Sequence, residues 1–203
     1  MSGYPLVLIG ESIEAVIVGG GPVAERKARS LLAAGARVRV VAPGVTEALR
    51  LLAREAPHLS LVEREYCTDD IASATLVIAA TDDREVNAHV AADGLAARRL
   101  VNVTDDPTAG NCITVATHRA GDLVIGVSAG GVPKAASRIR DAIAERFDGR
   151  YADAIRALGS LRERLLRAGD RETWSEAVDE LISVGFCERV ESGALQDEVA
   201  AWR

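Results

Sequence analysis

Residues 15–42 read AVIVGGGPVAERKARSLLAAGARVRVVA. Val16, Ile17 and Val18 form a β-branched apolar run too short for a helix, the pattern of a strand buried on both faces. Gly19, Gly20 and Gly21 follow. Pro22 then opens a helical stretch, with Val23, Ala24, Lys27, Ala28, Leu31 and Leu32 at helical spacing up to Gly35. Val38 to Val41 reads as a second buried strand. Strand, glycine turn, helix and strand make a βαβ unit, and each residue type has a physical task in it. Gly19 permits the tight turn, Gly21 lets the backbone approach a pyrophosphate, and Ala24 lets helix and sheet pack closely. Pro22 suits the first helical position, where its missing N–H would have no intrahelical acceptor. The free amides that follow Pro22, with the positive end of the helix, favour an anion. The stretch predicts a dinucleotide site, with a purely structural tight turn as the alternative.

The alternation continues downstream. Thr46 is placed to cap a helix to about Ala56, with Pro57 ending it. Leu59 to Tyr66 reads as a third strand, Asp69 to Ser73 as a short helix, and Leu76 to Ala80 as a fourth strand. A helix from Arg84 to about Ala97 and a strand over Leu100 to Val103 follow. Strands alternating with helices at this spacing predict an α/β, Rossmann-type doubly wound parallel sheet. Ligands of such sheets bind outside the carboxyl ends of the strands. Three polar loops are expected there: Gly19 to Val23, Thr81 to Asp83, and Asn102 to Asp106. The second strand ends in Pro43 and Gly44 without the carboxylate that usually holds an adenosine ribose, so backbone around those two residues, or a residue from elsewhere in the chain, is expected to do so. Arg37 and Arg39 lie within the strand and no arginine stands at its end, which favours NAD over NADP.

Past Asn111 the character changes. Cys112 to Thr117 and Leu123 to Ser128 read as a hairpin around an Ala-Gly-Asp tip. Ser128-Ala129-Gly130-Gly131 breaks the chain before a helix from Pro133 to about Phe147. Tyr151 to Arg203 is helical in pattern, with breaks at Gly169-Asp170, Gly185 and Gly193. The expected domains are 1–111 for cofactor binding, 112–148 for dimerisation and substrate, and 149–203 as a C-terminal helical domain. Pro5 to Ile9 is expected as an edge strand or an extended arm. The formal net charge of −6 argues against a general nucleic-acid binder. The three cysteines are widely separated, without metal-ligand spacing, and read as reduced thiols. No signal peptide or membrane-length apolar run appears, so a soluble, cytoplasmic protein with no membrane partner and no bound metal is expected.

Four stretches coincide with one known family. VIVGGGPVAERKARSLLAAGARVRVVAP, VIAATDDREVN, VNVTDDP and GVSAGGVPKAASRIR resemble, in order and spacing, precorrin-2 dehydrogenase, the NAD-dependent module that also forms the N-terminal part of bacterial siroheme synthase. The resemblance spans roughly residues 4 to 150. It implies oxidation of precorrin-2 to sirohydrochlorin by a homodimer, in siroheme or cobalamin biosynthesis, with hydride passed to NAD. Some members also insert Fe²⁺ or Co²⁺, and others leave this to a separate chelatase; both alternatives stay open here. The family's catalytic aspartate falls on Asp105, three residues after Asn102. Its cofactor contacts fall on Pro22, Val23, Pro43 and Gly44; Gly19 and Gly21 of the turn and Thr81 on the neighbouring loop complete the expected cofactor site. Substrate contacts are expected from Asn102, Ser128, Lys134 and Arg138, with Arg140, His118 and Arg119 as further cations for the carboxylates of the tetrapyrrole. Two positions depart from the family pattern: Ala129 stands where some relatives have a second serine, and Pro133 arrives one place early. A non-catalytic NAD-sensing module and a general NAD(P) oxidoreductase acting on a small substrate are the competing readings.

Overall fold

The computed structural model describes residues 3–202. The chain forms two compact units, the first ending at Thr114 and the second beginning at Val115.

The first unit is a parallel sheet of five strands in the order β3-β2-β1-β4-β5. In chain order its elements are β1 (Glu14–Val18), α1 (Pro22–Leu32), β2 (Arg37–Val41), α2 (Glu47–Glu55) and β3 (Leu59–Val62). A 3-10 turn over Thr68–Ile71 leads to β4 (Leu76–Ala79), α3 (Arg84–Ala96) and β5 (Leu100–Val103). Both faces of the sheet are covered, which explains why its strands are near-continuous apolar runs. Ala15, Ile17, Val38, Val40 and Ile78 pack with Ala24, Ala28, Leu49 and Leu52 of α1 and α2. Val16, Val18, Val77 and Val101 pack on the opposite face with Val90 and Ala91 of α3. Removing one such fully buried aliphatic side chain from water contributes roughly 1.5–3 kcal/mol.

The helix boundaries follow local chemistry. Thr46 caps α2 by accepting the Leu49 amide at 3.3 Å, and Asp83 caps α3 by accepting Glu85 N and Val86 N. Two expectations are corrected, and one open alternative is decided. The third strand stops at Val62 rather than Tyr66, because Arg64 turns away to form a bidentate pair with buried Asp70 at 2.6 and 2.7 Å. That pair draws the Asp70 carboxyl down to about 2. Of the two alternatives for Pro5 to Ile9, the extended arm is the one found: the segment joins neither sheet and runs exposed into a 3-10 turn at Gly10–Ser12. Cys112 to Val115 is not strand either: the amides of Asn111 and Cys112 donate to Val101 O and fasten the start of this segment along β5.

The second unit contains an antiparallel hairpin, β6 (Ala116–Ala120) and β7 (Leu123–Val127). The tip is Gly121-Asp122, with Gly121 at φ +57°, so Ala120 belongs to the strand. A tight turn, with Gly130 and Gly131 both at positive φ, precedes α4 (Pro133–Arg146). Then come α5 (Gly149–Arg167), α6 (Arg171–Leu181), α7 (Phe186–Ser192) and α8 (Ala194–Ala201), separated at the expected glycines. Tyr151, Ala154, Leu158, Leu161 and Leu165 form one stripe of α5 that packs against Ala177, Leu181, Val190, Leu195 and Val199. No helix of the described residues is long and apolar enough to cross a membrane.

Candidate functional site

The carboxyl ends of β1, β4 and β5 bring three loops to one edge of the first unit. At the first loop, β1 passes into α1 through glycines, two of which have neighbours that leave no room for a side chain. Gly19 has φ +127°, and a Cβ on it would lie 2.3 Å from Ala80 O. A Cβ on Gly20 would lie 2.0 Å from Gly44 O, because the loop after β2 closes on the turn, with Thr46 N donating to Gly20 O at 3.0 Å. Gly21 is different: a Cβ there would enter open space.

Gly21 is also the N-cap of α1, with no side-chain cap. The first intrahelical hydrogen bond runs from Glu25 N to Gly21 O, so the amides of Val23 and Ala24 precede it and are available to an anion. A dinucleotide pyrophosphate fits this arrangement: unfilled space over Gly21 faces helix-terminal donors. Gly44 is exposed at the end of β2 beside Pro43, and space over it is likewise open. Arg37 is not at this edge. It lies at the amino end of β2, bonded to Glu14 at 3.1 Å.

The second and third loops are joined by side chains. Thr104 N donates to Ala79 O at 3.0 Å, which continues the β4–β5 ladder and sets the Asp105 loop beside the start of α3. Asn87 of α3, only 2 % exposed, donates Nδ2 to Asp105 Oδ1 at 3.0 Å. The same amide bonds the Thr81 backbone in both directions, accepting from Thr81 N and donating to Thr81 O, each at 3.1 Å. Arg84 Nε stands 3.8 Å from Asp105 Oδ2 on a side chain that is 90 % exposed. Asp106 is committed to its own turn, accepting Thr108 N at 3.0 Å and Thr108 Oγ1 at 2.6 Å. Those bonds hold its carboxyl below the usual carboxylate range.

Asn102 does not meet Asp105. It pairs in register with Ile78 and turns to the α1 face, where it is 4 % exposed and donates Nδ2 to Cys112 O at 3.1 Å. Its Oδ1 is buried without a hydrogen-bond partner. Nearby, Lys27 of α1 donates to Thr114 Oγ1, and burial lowers its ammonium from the ordinary lysine value. Burial raises the Cys112 thiol.

The remaining candidates lie on the second unit. Ser128 follows β7, and Lys134 and Arg138 stand one turn apart on α4, without an ion-pair partner among the described residues. Arg140 is instead paired with Asp141 at 2.6 Å. His118 Nε2 lies 2.5 Å from Phe147 O at the end of α4, so that ring nitrogen serves as a helix-terminal donor. No cluster of three or more His, Cys, Asp or Glu side chains fit for a metal occurs among the described residues.

Asn87 and Gly20 are the members that reading the chain missed. The signal for Asn87 was present, since it falls four residues after the α3 cap Asp83. For Gly20 the close approach of Gly44 is visible only in three dimensions.

Sheet order, glycine turn and open helix terminus define a Rossmann-type dinucleotide-binding unit. The chain belongs to the NAD(P)-binding family NAD_binding_7, whose pattern it matches over residues 6–116. It is 39% identical over 168 residues to the siroheme synthase of Chromobacterium violaceum, covering 77% of this chain and 36% of that protein. With the siroheme synthase of Pseudomonas entomophila it shares 41% identity over 152 residues, covering 74% of this chain and 33% of that one. The chain thus spans about a third of the length of these relatives. Among solved structures it is similar to "SirC, precorrin-2 dehydrogenase", with a TM-score of 0.71 over 96% of this chain and 100% of that one, at 23% identity. That likeness is one of fold.

Proposed function

We propose that this protein is an NAD-dependent precorrin-2 dehydrogenase, converting precorrin-2 to sirohydrochlorin in siroheme or cobalamin biosynthesis. The observation that carries the reading is Asp105, a one-third exposed carboxylate held by a buried amide on the sheet edge that also carries the dinucleotide turn. When bound, NAD⁺ would supply the hydride acceptor. The chain's own residues do the rest. Val23 and Ala24 amides hold the pyrophosphate over Gly21, backbone at Pro43 and Gly44 meets the adenosine ribose, and Thr81 borders the cofactor from the second loop. Asp105 takes up the proton that leaves as the hydride departs, a step that typically contributes about 10²–10⁴-fold. Ser128, Lys134 and Arg138 contact the substrate, the last two through its carboxylates; Asn102, 4 % exposed and bonded to Cys112 O, instead fastens the segment that follows β5.

The absence of a cation at the end of β2 among the described residues favours NAD over NADP, whose 2′-phosphate calls for one. The reading further includes a homodimer paired through residues 112–148, a helical domain over 149–203, a cytoplasmic location that suits three free cysteines, and metal insertion by a separate chelatase. The test is an anaerobic assay with precorrin-2 and NAD⁺, following NADH and the sirohydrochlorin spectrum. Turnover that Asp105→Asn lowers at least about a hundredfold, with NAD⁺ affinity retained, is expected. NAD⁺ binding without turnover in the unaltered protein would leave the sensing module in its place.

A further inference from the structure

We propose that Asn87 is a positioning residue for Asp105, presenting the carboxylate so that Oδ2 is the oxygen that receives the substrate proton. The inference rests on the reading of Asp105 given above. A carboxamide has two N–H donors and an oxygen with two acceptor sites. In Asn87 both N–H groups and one acceptor site are matched, and the Thr81 hydroxyl, whose one proton also faces Asp83 O at 2.8 Å, stands at the second. Nδ2 lies 3.1 Å from Thr81 O and 3.0 Å from Asp105 Oδ1. Oδ1 lies 3.1 Å from Thr81 N and 2.8 Å from Thr81 Oγ1.

This pattern fixes the orientation of the amide. Turned over, its NH₂ would face the Thr81 N–H, and its oxygen would face two acceptors, the Thr81 carbonyl and the Asp105 carboxylate. At 2 % exposure no water is at hand to relieve such a mismatch, whose cost is roughly 1–3 kcal/mol for each unsatisfied buried group. Asp105 Oδ1 therefore always faces a donor. Placing a proton on Oδ1 competes with that bond, whereas Oδ2 faces only Arg84 Nε at 3.8 Å, on a side chain free to swing into solvent.

The other charged groups of the two loops do not compete for this role. Asp83 is occupied as the α3 cap, Asp106 by Thr108, and Asp82 and Glu85 are exposed without a bond to Asp105. A solely structural Asn87 would need only its Thr81 bonds, which tie the turn after β4 to α3. The second N–H reaches a different loop and ends on the one carboxylate with a chemical task.

A double-mutant cycle tests this. Asn87→Ala and Asn87→Ser are each made in the unaltered protein and in Asp105→Asn, and kcat, KM for precorrin-2 and NAD⁺ affinity are measured for all. If Asn87 acts through Asp105, each Asn87 variant lowers kcat at least about tenfold in the unaltered background, moves KM and NAD⁺ affinity by less than about threefold, and has no further effect in Asp105→Asn. Asn87→Ser withdraws the donor from Asp105 while keeping a polar group in the buried site, so it provides the measurement if the alanine variant fails to fold. An equal loss in both backgrounds, or an unchanged kcat, overturns the inference. Full activity of Asp105→Asn on its own would instead overturn the reading of Asp105.

Discussion

The loop after β1 and the loop after β5 meet the same edge of one sheet, yet they are built by opposite means. The first exposes backbone alone: three glycines, a proline and a helix end without a side-chain cap. The second places a carboxylate and supports it with a buried amide from α3. On the proposed function, the difference follows from what each would handle. A pyrophosphate is large, and amide N–H groups can reach it only where Cβ atoms are missing. A proton is small, and its transfer depends on the placement of one oxygen, which takes side chains with fixed orientation.

Substitutions at the two loops put this contrast to the test. Gly20→Ala should have the largest effect, since its Cβ would lie 2.0 Å from the Gly44 carbonyl oxygen, a backbone atom that cannot swing aside. A loss of about 3 kcal/mol or more is expected, read as a large fall in Tm together with lost NAD⁺ binding. Gly21→Ala separates fold from function. Its Cβ enters open space, so stability should change by no more than about 1 kcal/mol, the difference between Gly and Ala at an N-cap. NAD⁺ affinity should nevertheless fall about tenfold, because the cofactor needs that space. Equal stability and equal affinity would remove the pyrophosphate from Gly21.

Arg138→Ala extends the contrast to the second unit, where the proposed substrate contacts Lys134 and Arg138 are side chains without an ion-pair partner among the described residues. KM for precorrin-2 should rise about threefold to tenfold while NAD⁺ affinity holds, and an unchanged KM would take Arg138 out of the site. The smallest effect is expected at Asp70, remote from catalysis. Its folded carboxyl is drawn down to about 2 by Arg64, so the stabilisation is complete above the unfolded value near pH ~4 and is lost as pH falls through about 2. Arg64 is half-exposed, and solvent screening keeps the contribution at about 1 kcal/mol or less. Acid unfolding of Asp70→Asn should therefore show a shallower loss of stability between pH ~4 and ~2.

Much of the first unit is legible because its signals are local. A strand covered on both faces must be apolar at every position, and Val16-Ile17-Val18 and Leu76 to Ala79 are. Thr46 and Asp83 announce their helices by capping chemistry that needs only three neighbouring amides. The start of the hairpin differs from expectation for the converse reason. Cys112 to Val115 has the apolar pattern of a strand, but Asn111 ties the segment to β5, its Oδ1 accepting Val101 N at 2.7 Å and its Nδ2 donating to Arg99 O at 2.8 Å. An amide side chain standing in for a strand partner leaves no periodic trace.

The succession of strands and helices, the glycine turn and the place of Asp105 at a strand end can all be read from the chain, since each depends on residues within a few places of one another. Three further facts exist only in the folded molecule: Gly20 lies against Gly44, Asn102 turns to the α1 face, and Asn87 reaches Asp105 across 18 residues of chain. These are contacts between segments brought together by sheet pairing. Nothing in a residue's own neighbourhood records which distant backbone or carboxylate the packed core will set beside it.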